Sequence, residues 1–215
     1  NLEQAAYVAV NEDESYQKDM KEWSKNPVSS RRPRYSNSKS QSHWRKVNSL
    51  ADKILAEHPR VRELDGIMFK KGLALQFMGR GEEAARIFKA ILSRFPKTSH
   101  YPDVHFALGE YYFNSNRYNT AKKHYIETMK KAKSLWYGWS VYKLGWCYYN
   151  LSSFPESLGI WKKAHSYALD QGEKGKLIVH EVLRDIVLAF AELGNLQDGV
   201  DFFEDYGNDK HVLKM

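Results

Sequence analysis

Three glycines, Gly72, Gly109 and Gly145, are followed by the same residue types at the same distances. Twelve residues after each stands a small residue (Ala84, Ala121, Ser157), and four residues later an aromatic one (Phe88, Tyr125, Trp161). A large residue follows each glycine by three positions (Leu75, Tyr112, Tyr148), and Leu108 and Leu144 precede two of the glycines. In an antiparallel helix pair, a glycine and a small residue at this spacing let the helices approach closely. The aromatic then fills the space beneath the crossing. One such pair cannot bury its apolar face alone, so successive pairs must stack on one another.

The pattern resembles the tetratricopeptide-repeat signature, W-x2-L-G-x2-Y followed by A-x3-F and a proline. That resemblance implies an all-α chain forming a right-handed superhelical solenoid of antiparallel helix pairs. It also implies a binding scaffold rather than an enzyme. Repeats are expected at about 65–98, 102–135, 138–171 and 180–213, within a solenoid covering 65–215. The fourth is degenerate: Val187 takes the glycine slot, while Phe190, Gly199 and Phe203 hold the others. The step from Gly145 to Val187 is 42 residues, and the surplus falls around Gln171 to Gly175, a loop or a lengthened helix pair. Asn116, Ser153 and Asn195 fall where each second helix needs an N-cap oxygen. Residues 44–64 carry one apolar periodicity (Trp44, Val47, Leu50, Ala51, Ile54) and read as a degenerate or capping repeat.

At 42% hydrophobic residues the chain can build a core. No apolar run approaches the ~18 residues of a membrane span. The chain starts at Asn1 without methionine and reads as a processed or excised segment. Its single cysteine, Cys147, excludes an internal disulfide and reads as a buried apolar residue.

Charge is concentrated in one stretch. The net charge is +7. Residues 23–50 hold Lys25, Arg31, Arg32, Arg34, Lys39, Arg45 and Lys46 and no acid, so the rest of the chain sums to zero. Residues 1–43 therefore read as a basic, largely flexible arm, because the polar stretch 24–42 cannot offset its ordering entropy by burial. Three roles are open to the arm: a solvated linker, contact with an acidic partner or anionic lipid, and binding of nucleic acid. The absence of any folded nucleic-acid module argues against the third.

No catalytic constellation emerges. His180-Glu181-Val182-Leu183-Arg184 starts like a zinc-protease helix but lacks the second histidine. Gly172 to Lys176 lacks the phosphate-loop spacing, and the eight histidines show no ligand spacing. The expectation is a chain with no enzymatic activity, no metal and no cofactor.

The first helix of each repeat lines the concave face of such a solenoid. Its face-lining positions here are Phe69, then Phe106, Glu110, Phe113 and Asn114, then Trp139, Tyr142, Trp146, Tyr149 and Asn150, and finally Arg184. So many aromatics exceed what a solvated wall needs, and Trp and Tyr dominate binding hot spots. The competing reading is that they pack against neighbouring helices. The expected partner is a protein, presenting an apolar peptide or helix.

The stretch Phe95-Pro96-Lys97-Thr98 to Pro102-Asp103, followed by Leu108-Gly109-Glu110-Tyr111-Tyr112, resembles a bacterial-envelope group of these repeat proteins. That group includes the BamD-like outer-membrane lipoproteins and the TolA-binding protein CpoB. Tyr142 to Leu151, and Leu183 through Gly194, resemble repeat proteins of gliding and predatory deltaproteobacteria. The resemblance implies an adaptor in the cell envelope, in the periplasm or at the membrane, and further repeats beyond Met215.

Overall fold

A computed structural model of the chain describes residues 38–194 and 196–208. Among the described residues there are nine α-helices and no strand. They are α1 (Ser38–Glu57), α2 (Leu64–Phe77), α3 (Gly81–Arg94), α4 (Tyr101–Asn114), α5 (Tyr118–Met129), α6 (Tyr137–Asn150), α7 (Phe154–Asp170), α8 (Lys176–Leu193) and α9 (Leu196–Asn208). One 3-10 turn, Gly172–Gly175, lies between α7 and α8. The chain divides into two compact units, Asn1–Val104 and His105–Met215.

The glycine–aromatic spacing is a steric contact. A Cβ placed on Gly72 would lie 2.4 Å from the Phe88 ring, one on Gly109 2.6 Å from Tyr125, and one on Gly145 2.4 Å from Trp161. No real Cβ sits that close. Phe88, Tyr125 and Trp161 are fully buried, as are Ala121 and Ser157. The Ser157 hydroxyl donates to the Gly145 carbonyl at 3.0 Å, which adds a hydrogen bond where alanine stands in the other repeats.

The turns obey an equally strict rule. Seven residues after each glycine slot, Gly79, Asn116, Ser152 and Gly194 adopt φ of 77°, 57°, 56° and 69°. Their N–H groups donate to carbonyls three residues back (Gln76, Phe113, Tyr149, Ala191) at 2.9–3.1 Å. The next N–H groups, of Arg80, Arg117 and Ser153, donate to carbonyls five residues back (Leu75, Tyr112, Tyr148) at 2.8–2.9 Å. This is the Schellman stop of a helix. It corrects the capping expectation: Asn116 ends α4 and does not start α5, whose N-cap residue is Arg117. Ser153 does occupy the N-cap of α7, but its side chain makes no cap bond. Asn195 lies outside the described residues.

In the first unit, Trp44, Val47 and Ala51 of α1 form a buried cluster with Ala74 of α2. Trp44 stacks on Phe77 at 4.5 Å. The helix begins at Ser38, upstream of the arm boundary expected at 43. Ser40 is buried, and the Gln41 side-chain amide donates to the Phe77 carbonyl at 2.7 Å. Polar residues with no apolar period thus join the helix by packing on α2 and supplying a donor to its C-terminal carbonyls.

In the second unit, the core runs through α6, α7 and α8, from Val141 and Tyr142 through Trp161 and Ala164 to Val182, Ile186 and Phe190. The 42-residue step is absorbed by both longer helices and the 3-10 turn: α7 has 17 residues and α8 has 18, against 14 in α6. Gly175 seats this turn on the Ala168 carbonyl, closer than any side chain permits.

Candidate protein-binding face

Within the second unit, α4, α6 and α8 are the first helices of their pairs, and they carry nearly all the residues picked out from the sequence. Their packing sorts these residues into two groups by distance from the glycine slot.

Three residues before the slots that hold glycine, the side chain is spent on packing, whereas Arg184, three before the Val187 slot, is exposed. Phe106 stacks on Trp136 at 4.4 Å and tilts against Tyr125. Tyr142 is only 5% exposed, and its hydroxyl donates to Asp185 Oδ2 of α8 at 2.5 Å. Phe69 holds the same position in the first unit, where it stacks on His100 at 4.9 Å and tilts against Phe88. The expectation that these three line a binding face is corrected for Tyr142, which is buried. Phe69 and Phe106 are half-buried under aromatic neighbours.

One, four and five residues after the slot, side chains stay accessible. Trp146 is half-buried: its indole N–H donates to Asp185 Oδ2 at 3.0 Å, and its ring stands edge-on to Trp161 at 5.2 Å. Tyr149, also half-buried, stacks on Trp161, and its hydroxyl donates to Glu192 Oε1 at 3.3 Å. Phe113 is half-buried against Tyr118, while Asn114 and Asn150 are exposed. Asn150 donates to the Trp146 carbonyl at 2.8 Å. Trp139, one turn before Tyr142, meets that ring edge-on and is half-buried.

Two charge clusters hold these helices in register. Glu110 accepts the Tyr125 hydroxyl at 2.5 Å and pairs with Lys143 at 3.1 Å. Burial, with the Glu110 charge and hydrogen bond acting the same way, pushes the Tyr125 phenol far above its usual range. The Lys143 ammonium also lies 5.1 Å over the Phe113 ring. Asp185, 5% exposed, accepts from Tyr142, Trp146 and Arg184, whose Nε lies 2.8 Å away. Arg184 also reaches Glu181 at 2.6 Å. Burial and the Asp185 hydrogen bond likewise raise the Tyr142 phenol. Lys143 and Asp185 were not singled out from the sequence. The available signal was an acid on one first helix, a base on the next and an acid on the third, about one repeat apart.

Burial pushes the Cys147 thiol up to about 12, which leaves it protonated and without nucleophilic character. Among the described residues, no group of three or more His, Cys, Asp or Glu side chains is placed to hold a metal ion. No helix among them is long and apolar enough to cross a membrane. Of the basic arm, Lys25, Arg31, Arg32 and Arg34 lie outside the described residues. Lys39 falls within α1, and Arg45 and Lys46 are exposed on that helix.

Residues 67–98 match the family model for the tetratricopeptide repeat. No curated protein matches the sequence. Among solved structures, the crystal structure of MamA protein is similar at 17% identity with a TM-score of 0.61, over 77% of this chain and 81% of that one. BtubC from P. vanneervenii aligns at 14% identity and a TM-score of 0.61, over 94% and 87%. Nearly identical TPR-like repeats of a Podosopora anserina kinesin light chain align at 11% identity and a TM-score of 0.58, over 89% and 91%. At these identities the likeness is one of fold. The chain has the all-α fold of stacked antiparallel helix pairs that characterises tetratricopeptide repeats.

Proposed function

We propose that this chain is a non-enzymatic interaction scaffold, and that its second unit binds a peptide or helix of a protein partner across α4, α6 and α8. One observation carries the reading. Trp146 and Tyr149 are both half-buried, so part of each ring stays accessible, and both are fixed, by Trp161 behind them and by Asp185 and Glu192 beside them. An aromatic held in place before binding loses little side-chain entropy when a partner covers it, which is how hot-spot residues gain their weight. Phe113, Trp139 and the Glu110–Lys143 pair extend the same chemistry to either side, so the partner should offer apolar side chains with a few polar groups among them. The sequence resemblance to envelope and gliding-motility repeat proteins supports placing this scaffold as an adaptor in a bacterial envelope or motility assembly.

A display library of random peptides, selected on the full chain, tests the binding reading. Selected peptides should compete with one another and lose tenfold or more in affinity on Trp146→Ala, while Arg45→Ala with Lys46→Ala leaves them unchanged. Binders indifferent to Trp146 and dependent on Arg45 and Lys46 would move the function to the basic segment.

A further inference from the structure

We propose that the apolar groove between α8 and α9 receives the lysine-rich turn after α5 of a second copy of this chain, joining copies head to tail. The opening arises from the degenerate repeat. Val187 stands where the other repeats have glycine, so the aromatic sixteen residues on, Phe203, cannot close over it as Trp161 closes over Gly145. The close approach passes instead to Gly199, where an added Cβ would lie 3.3 Å from the Phe190 ring. What remains is a groove of about 420 Å³ lined by Val187, Phe190, Leu196, Val200, Phe203 and Glu204. Leu196 is 70% exposed there, and Val187 and Val200 are each 48% exposed. The flank is acidic: α9 exposes Asp198, Asp201, Glu204 and Asp205 and contains no lysine or arginine.

The complement lies between α5 and α6 of the same unit. Lys130, Lys131 and Lys133 are exposed in succession, and Leu135 follows them at 92% exposure. The turn is anchored on both sides of that leucine. The Trp136 N–H donates to Ser134 Oγ at 3.1 Å, and the Trp136 ring stacks on Phe106. An exposed apolar side chain on an anchored turn, beside Lys131, Lys133 and a Lys130 that also pairs with Glu127 at 2.6 Å, thus matches an apolar groove beside four carboxylates. The two faces are different surfaces, so the contact is heterologous: each copy offers its turn to one neighbour and its groove to another.

Light scattering and sedimentation velocity on the full chain test this. The mean mass should rise with concentration across roughly 1–100 μM, the range of a modest interface. Raising NaCl from about 50 to about 500 mM should weaken the association several-fold, because the flanking charges are exposed and screened. Leu135→Asp and Val200→Asp, both at exposed positions, should each weaken self-association at least tenfold with unchanged helicity by circular dichroism. Mixed together, the two variants should form a one-to-one dimer that grows no further, since one keeps its groove and the other its turn. Glu204→Lys should weaken wild-type association, and pairing it with Lys131→Glu in the other copy should restore it. A wild-type chain that stays monomeric at every concentration, a Leu135→Asp variant that associates like wild type, or a mixture that fails to pair would each overturn the proposal.

Discussion

Single residues carry costs that the repeat imposes. Ser152 and Asn116 occupy a left-handed backbone position that the first and last pairs fill with glycine. Asparagine tolerates that region, whereas serine has less to gain there. Ser152→Gly should therefore raise stability by about 0.5–1 kcal/mol, the left-handed penalty partly offset by the entropy glycine loses on folding. Chemical denaturation reads it directly, and a loss of stability would mean that the Ser152 side chain matters more than its backbone. His105 carries a different cost. It is 8% exposed, with its Nδ1 3.0 Å from that of His124. Burial holds its pKa below the ordinary histidine value, against the pull of Glu127 and with a smaller push from Lys130. The unfolded chain takes up a proton near pH 6.5 that the folded chain resists, so stability present above that pH is lost as pH falls from about 6.5 through the depressed folded value. Melts at pH 7.5 and 5.0 should show this loss, and His105→Gln should reduce it.

At the scale of elements, the glycine spacing was legible in the sequence because it records a contact between atoms: the ring that follows sixteen residues on lies where a Cβ would be. Gly145→Ala places a methyl group 2.4 Å from Trp161. Trp161 is fully buried and cannot swing away, so the overpacking should cost at least about 1–3 kcal/mol and lower the melting temperature. An unchanged melting temperature would show that the α6–α7 crossing is looser than described. Asn116 ends α4 and does not cap α5, a distinction the sequence cannot make because an asparagine suits an N-cap and a left-handed stop equally well, and only backbone geometry separates the two. The start of α1 was hidden for another reason. Ser40 and Gln41 have no apolar period, and their part in the helix depends on α2 lying beside them. The proposed binding face was half legible. One sequence shows which residues share a side of a helix, but it does not show that α8 covers the side bearing Tyr142 and leaves Trp146 and Tyr149 partly open.

For the molecule as a scaffold, the division of labour along the first helices is the central claim. At the three slots that hold glycine, the residue three before packs against neighbouring elements, and the proposed contact with a partner falls to Trp146 and Tyr149 just after the slot. Tyr142 and Trp146 sit one turn apart on α6 and donate to the same oxygen of Asp185, yet one is buried and the other half-open. The direct measurement is a pair of numbers for each variant: its melting temperature, and its affinity for a peptide selected on the wild-type chain. Tyr142→Phe leaves buried Asp185 short of one donor, which should cost about 1–3 kcal/mol of stability with affinity nearly intact. Trp146→Ala should cost about 2 kcal/mol or more of binding, a loss of tens of fold, while circular dichroism still reports a helical chain. If instead Tyr142→Phe abolishes binding at full stability, or Trp146→Ala unfolds the chain or leaves affinity untouched, the two positions do not divide the work in this way.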